Sequence, residues 1–118
     1  MIIPVPLHPL KKSERGYNQA ERISLGISDA TGIPVNSKSL KRVKYTGTQT
    51  YLSMRRRKQN IKGAFELKKP ESVKGKKIIV VDDVLTTGAT IVECAKLLYA
   101  AGAESLFAAS LAKTIKEF

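Results

Sequence analysis

The stretch "IIVVDDVLTTGAT", Ile78 to Thr90, decides how the chain is read. Four β-branched apolar residues run into two adjacent carboxylates, followed by three threonines and a glycine. An all-apolar run has no solvated side, the mark of a parallel-sheet strand covered on both faces, so Lys77 to Val81 is expected to be the strongest strand. Ile91, Cys94, Ala95, Leu98 and Ala101 then recur at helical spacing, with Gly102 as a stop. Asp82 to Thr90 is therefore expected as a loop between strand and helix, the helix beginning near Gly88, Ala89 or Thr90. In open parallel sheets ligands bind at such strand-to-helix loops.

The loop has two chemistries. A helix N-terminus has N–H groups without intrahelical partners and a dipole that favours an anion, and Gly88 lets backbone approach a ligand closely. Thr86, Thr87 and Thr90 add hydroxyls, so this half suits a phosphate. Asp82 and Asp83 would repel one, but ionised carboxylates accept hydrogen bonds from ligand hydroxyls or face a hydrated Mg²⁺. A ligand with a phosphate at one end and a diol in its middle satisfies both halves, which describes a ribose 5-phosphate. No Gly-x-x-x-x-Gly-Lys-Ser/Thr and no Gly-x-Gly-x-x-Gly is present. A receiver-type acidic pair would come after the first strand with another acceptor Asp later, and no Asp follows Asp83.

Outward from this stretch, Ile2 to Leu7 reads as a short strand leaving the sheet at Pro4 and Pro6. His8 to Tyr17 is expected as a polar loop. Asn18 to Glu21 resembles a capping box, opening a helix with Ala20, Ile23, Ile27 and Ala30 on its apolar face and Gly32 as its stop. Lys38 to Tyr45 is expected as a strand anchored by Leu40 and Val43, and Thr46 to Ile61 as a mobile basic loop passing into a short helix. Ala64 to Leu67 reads as a strand, Lys68 to Gly75 as a turn region and Leu106 to Leu111 as a closing, buried strand. Strand and helix alternate, so the class is α/β with a mainly parallel sheet.

The 118 residues suit one domain. Apolar content of 42% with 26% charged residues is ordinary for a globular chain, and no apolar run approaches the roughly 20 residues of a membrane span. Met1-Ile2-Ile3 leads into prolines without a basic start, so no signal peptide is expected and the cytoplasm is the expected location. Cys94, alone of its kind, excludes an internal disulfide or a cysteine-based zinc site. The net charge is +11, and between Ala30 and Phe65 there is no acid, only nine Lys and Arg residues. Such a block suits an anionic partner, or a solvated surface loop. Tyr45 and Tyr51 within it would also suit stacking of single-stranded nucleic acid, though anchoring a loop is the commoner role. His8 at the strand exit reads equally as a ligand contact or a packed loop residue, and Arg15 as a phosphate guide or a surface ion-pair partner.

Val80 to Thr90 resembles the binding loop of type I phosphoribosyltransferases for 5-phosphoribosyl-1-pyrophosphate (PRPP). Pro4-Val5-Pro6-Leu7-His8, Arg15 to Glu21, and Arg55 to Phe65 with its Arg-x-x-x-x-Asn-x-x-Gly-Ala-Phe are similar to the ComF family, competence-related and amidophosphoribosyltransferase-like. The resemblance implies a type I phosphoribosyltransferase fold, a Rossmann-like parallel sheet flanked by helices, with the hood reduced or missing. It implies that Asp82 and Asp83 hold the ribose hydroxyls and, through water or PRPP, a Mg²⁺ cofactor. Thr86, Thr87, Gly88, Ala89 and Thr90 would wrap the 5′-phosphate. Leu7, His8 and Pro9 would form the pyrophosphate loop, and Lys44 to Lys62, with Lys44, Tyr45, Arg55 and Arg56, the flexible loop. Asp82, Asp83 and Arg55 are the catalytic candidates. The expected reaction is displacement of pyrophosphate at the ribose anomeric carbon. A non-catalytic PRPP- or single-stranded-DNA-binding module of the competence machinery is the alternative, and a homodimer is left open. ComF proteins usually begin with a cysteine-rich zinc-binding segment that residues 1–118 lack, so the chain is expected to be a C-terminal fragment of a longer protein. Cys94 lies on an apolar helix face and reads as core, not as a glutaminase nucleophile.

Overall fold

Three parallel strands, β1 (Ile2–Pro4), β4 (Lys77–Leu85) and β5 (Ser105–Lys113), form the central sheet in the order β1-β4-β5. This computed structural model describes residues 1–44, 61–85 and 87–113. Between β1 and β4 lie helices α1 (Pro9–Arg15) and α2 (Gln19–Thr31), then an antiparallel pair, β2 (Leu40–Arg42) with β3 (Phe65–Leu67). A 3₁₀ turn spans Pro70–Ser72, and α3 (Ala89–Ala100) joins β4 to β5. Both parallel connections need long crossovers, which the helices supply.

The apolar run forms the middle strand, as read. Ile78, Val80 and Val81 are buried on its alternating faces. One face packs with Ile3 and Val5 against Cys94 and Leu98 of α3 and against Leu40 and Phe65 of the β2–β3 pair. The other face lies under α2, which packs on β1 and β4. Asn18 caps α2 as expected: its Oδ1 accepts from Ala20 N–H at 3.0 Å and its Nδ2 donates to the Val5 carbonyl at 3.1 Å. One side chain thus starts the helix and ties it to the end of β1. Gly32 ends α2 in a left-handed conformation.

Several expectations are corrected. The polar segment His8 to Tyr17 contains a helix, signalled by Pro at its first turn and Gly16 at φ 84° past its end. On α2 Ala20 is buried as expected, but the other buried residue is Ser24, while Ile23 and Ile27 are only part-buried and Ala30 is exposed. Small residues four apart let the first turns press close to the sheet, and the Ser24 hydroxyl is satisfied by the Ala20 carbonyl at 2.7 Å. Val43 is 49% exposed, leaving Leu40 as the buried aliphatic of β2. The β5 strand is not buried as expected: among the described residues it is the sheet edge, with Phe107 and Leu111 59% and 76% exposed. Finally, β4 runs on through Leu85, so Asp82 and Asp83 belong to a strand and the connection to α3 is correspondingly short. The loop-and-helix reading of Thr46 to Ile61 falls almost wholly outside the described residues.

Candidate functional site

The acidic pair owes its position to the unequal lengths of β1 and β4. The last rung between them is Val5 N–H to the Val81 carbonyl, 2.8 Å. Beyond it Pro6 carries the chain away to α1, while β4 continues for four residues past Val81 beside β5. Among the described strands the β1 side of Asp82 and Asp83 is therefore left without a strand partner, a notch in the carboxyl end of the sheet. Odd-numbered residues of β4 donate towards β1, as Ile79 N–H does to the Met1 carbonyl at 3.0 Å. Asp83 N–H is the first such donor past the end of β1, and Asp82 Oδ1 accepts from it at 2.9 Å. Asp83 Oδ1 in turn accepts from Val84 N–H at 2.8 Å.

Each carboxylate is thus oriented by a backbone amide and keeps acceptor capacity for something in the notch. Burial pushes the Asp82 carboxyl up to about 7, and the hydrogen bond and charge of Asp83 push the same way. The Asp83 amide and the Arg42 guanidinium act in the opposite direction without cancelling the effect. Arg42 reaches this region from β2, where it stands opposite Phe65 with its guanidinium carbon 5.4 Å from that ring's centre. Its own burial lowers its pKa. The sequence reading counted Arg42 only among nine cations; its pairing with Phe65, which holds it near Asp82, is a register effect that composition does not carry.

After β4 the chain turns at Thr87 and Gly88 into α3. Gly88 is the N-cap at φ 78°, a conformation glycine adopts without strain, and having no side chain it caps nothing. Thr87 Oγ1 accepts from Ala89 N–H at 3.2 Å. The N–H groups of the next residues, Thr90 among them, lie in a first turn that a helix itself cannot satisfy. Ala89 and Thr90 are part-buried, and a cavity of about 450 Å³ opens beside Thr87 and Ala89, walled also by Ile61, Val92 and Lys96.

Among the other predicted residues, His8 is the N-cap of α1, its Nδ1 accepting from Leu10 N–H at 3.1 Å, with Pro9 following in the first turn and Leu7 in the connection from β1. That connection leaves the same end of the sheet as the acids. Lys44 is exposed at the edge of the described residues. Tyr45, Arg55, Arg56 and Thr86 lie outside them. Cys94 is fully buried and burial pushes its thiol far up, so it is a core residue, as read. Among the described residues no group of three or more His, Cys, Asp or Glu side chains could cage a metal ion, and no helix is long and apolar enough to cross a membrane.

Comparison with known proteins agrees with this arrangement. The family model described as "Phosphoribosyl transferase domain" matches residues 3–117. Competence protein F of Haemophilus influenzae is 42% identical over 113 residues, 95% of this chain and 49% of the relative. DNA utilization protein YhgH of Escherichia coli K12 is 38% identical over 114 residues, 97% of this chain and 49% of the relative. The chain therefore spans about half the length of these curated relatives. Among solved structures, the glutamine PRPP amidotransferase from B. subtilis complexed with ADP and GMP superposes over 92% of this chain and 22% of its own, with a TM-score of 0.59 at 23% identity. The allosteric regulatory enzyme of purine biosynthesis does so over 92% and 21%, with a TM-score of 0.57 and 23% identity. The sheet and its flanking helices are accordingly the type I phosphoribosyltransferase fold, and the chain belongs to the phosphoribosyl transferase domain family, similar within it to competence protein F and its relatives.

Proposed function

We propose that the chain binds PRPP with Mg²⁺ at the carboxyl end of its sheet and displaces pyrophosphate at the anomeric carbon. The observation that carries this reading is the notch itself: two oriented carboxylates followed within a few residues by a helix N-terminus whose N-cap, Gly88, has no side chain to cap it. The pairing matches a diol and a 5′-phosphate at the two ends of one ribose. Asp82 and Asp83 accept from the ribose hydroxyls, and the Gly88–Thr90 turn takes the phosphate. Two carboxylates without a third ligand suit a cation that keeps its waters and uses substrate oxygens, the habit of Mg²⁺. Asp82 and Asp83 would hold it through water or through PRPP, and it would neutralise charge on the departing pyrophosphate.

The protein's own contribution is positioning and charge compensation. The connection at Leu7 to Pro9, leaving β1 beside the notch, is assigned to the pyrophosphate. Arg55 and the other cations between Lys44 and Lys62 are assigned to the negative charge of the pyrophosphate. The cavity beside Ala89 offers room for an incoming nucleophile. Release of pyrophosphate from PRPP, followed by phosphorus NMR with candidate nucleophiles, tests the reaction; binding without release in any combination would leave a binding module. One observation favours a second reading: the acid-free basic block, in a chain whose relatives are named for competence and DNA utilization, suits single-stranded DNA. In that case DNA affinity falls steeply with salt, in proportion to the phosphates neutralised.

A further inference from the structure

Side chains alternate along a strand, so on β2 Leu40 and Arg42 share one side and Lys41 takes the other. Leu40 is buried in the core and Lys41 is exposed, which gives Arg42 an inward position where the pattern calls for an apolar residue. Desolvating a guanidinium costs stability, and an apolar side chain of similar length would cost less there. Its neighbours show what the charge faces. Phe65, opposite Arg42 on β3, has the guanidinium carbon 5.4 Å from its ring centre and belongs to the same buried cluster as Val80 of β4. Asp82 follows Val80 by two residues, so it lies on the same face of β4, part-buried and nearer the carboxyl end of the sheet. Stacking engages the flat face of a guanidinium and leaves its N–H donors in the plane. One of these, Nε, donates to the Lys44 carbonyl at 3.2 Å. Burial is the main influence on both charges, but each also favours the ionised form of the other.

We propose that Arg42 is a positioning residue for the acidic pair: propped on Phe65, it holds the Asp82 carboxylate from the β2–β3 side, so that Asp82 presents a fixed oxygen to the ribose diol. The inference rests on the reading of the notch as a ribose site and adds a residue to it. Asp82 is then held from two directions, by the Asp83 amide on Oδ1 at 2.9 Å and by Arg42. A carboxylate held twice keeps its direction before the ligand arrives, and the entropy of ordering it is not lost again on binding. Arg42 also offsets part of the repulsion between two adjacent carboxylates. Arginine suits the position because its charge persists on burial, where a lysine is readily neutralised, and because its flat face stacks on an aromatic ring.

Two assays on the 118-residue chain test this, with Arg42→Met, Asp82→Asn and the double variant. In thermal melts at pH 8.5, Arg42→Met lowers the midpoint by about 5 °C, because it strands the Asp82 charge. In the Asp82→Asn background the same substitution is neutral or raises the midpoint. In isothermal titration, Arg42→Met weakens ribose 5-phosphate about tenfold and leaves inorganic phosphate within about twofold of the parent. Methionine keeps an apolar stem against Phe65, and circular dichroism checks the fold. Arg42→Gln, polar and uncharged, gives the same pattern in both assays. Additive effects in the melts overturn the proposal. So does an equal loss for both ligands, which would mean that Arg42 meets the phosphate itself. A parent that binds neither ligand sinks the reading of the notch; the melts need no ligand and decide separately whether Arg42 holds Asp82.

Discussion

Replacing Asp82 by Asn should make the protein more stable at alkaline pH. A folded-state pKa of about 7 against an ordinary 3.8 means that the fold prefers this carboxyl protonated. Well below pH 3.8 the acid is neutral in both folded and unfolded chains and costs nothing. Between 3.8 and 7 the unfolded chain ionises first, so stability falls as pH rises, and above 7 the full penalty is in place. The difference of about 3 pH units is worth about 4 kcal/mol at most, at 1.36 kcal/mol per unit. Solvent screening in the open notch lowers the expected figure to about 2 kcal/mol. Asn resembles the neutral acid, so at pH 8.5 the variant should melt on the order of 10 °C above the parent, with little difference at pH 4. Paired thermal melts at these pH values are the assay. Equal melting at pH 8.5, or a gain as large at pH 4, would refute the account of Asp82 as a desolvated, ligand-awaiting carboxyl.

Asp82→Asn with Asp83→Asn should weaken PRPP binding, each charged acceptor bond being worth roughly 1.5 to 3 kcal/mol, while inorganic phosphate binds no worse; isothermal titration of both ligands checks this, and equal losses would make the acids structural. PRPP affinity should rise between about pH 6 and 8 as Asp82 ionises through its pKa of about 7, and the Asp82→Asn variant should lose that component of the titration. Gly88→Ala should cost about 1 kcal/mol from the left-handed φ alone, since no heavy atom lies within 4 Å of the added Cβ; a much larger loss in denaturant melts would contradict the open turn. Asn18→Ala should cost about 2 to 3 kcal/mol, losing the cap of α2 and orphaning the Val5 carbonyl, and a loss below about 1 kcal/mol would contradict its double role.

Much of this was legible in one dimension. The run Ile78 to Val81, the helix after it and the cap at Asn18 are local signals, and each element stands where its pattern puts it. The proposed type of site was also read from the sequence, where two acids close to Thr87 and Gly88 point to one ligand with two chemistries. What escaped depends on neighbours. A strand's end is set by its partners: β4 continues past Val81 because β5 accompanies it, and the acids open into a notch because Pro6 takes β1 away. The exposure of Phe107 and Leu111 follows from the edge position of β5 among the described strands, which an apolar β5 sequence does not reveal. Helix α1 was missed although Pro9 and Gly16 marked both ends, because its seven residues bury none of their side chains and carry no periodic stripe.

The central claim is that the notch beyond Val81 and the turn at Gly88 together hold one phosphoribosyl ligand. Isothermal titration of the folded chain with PRPP, with and without Mg²⁺, against ribose 5-phosphate and inorganic phosphate tests it most directly. The account predicts that PRPP binds more tightly with Mg²⁺ than without, that ribose 5-phosphate binds more weakly than PRPP, and that phosphate alone binds weakest. Loss of the PRPP preference in the doubly substituted acid variant is part of the same prediction. A chain that binds none of the three, or that binds PRPP no better than inorganic phosphate, contradicts it.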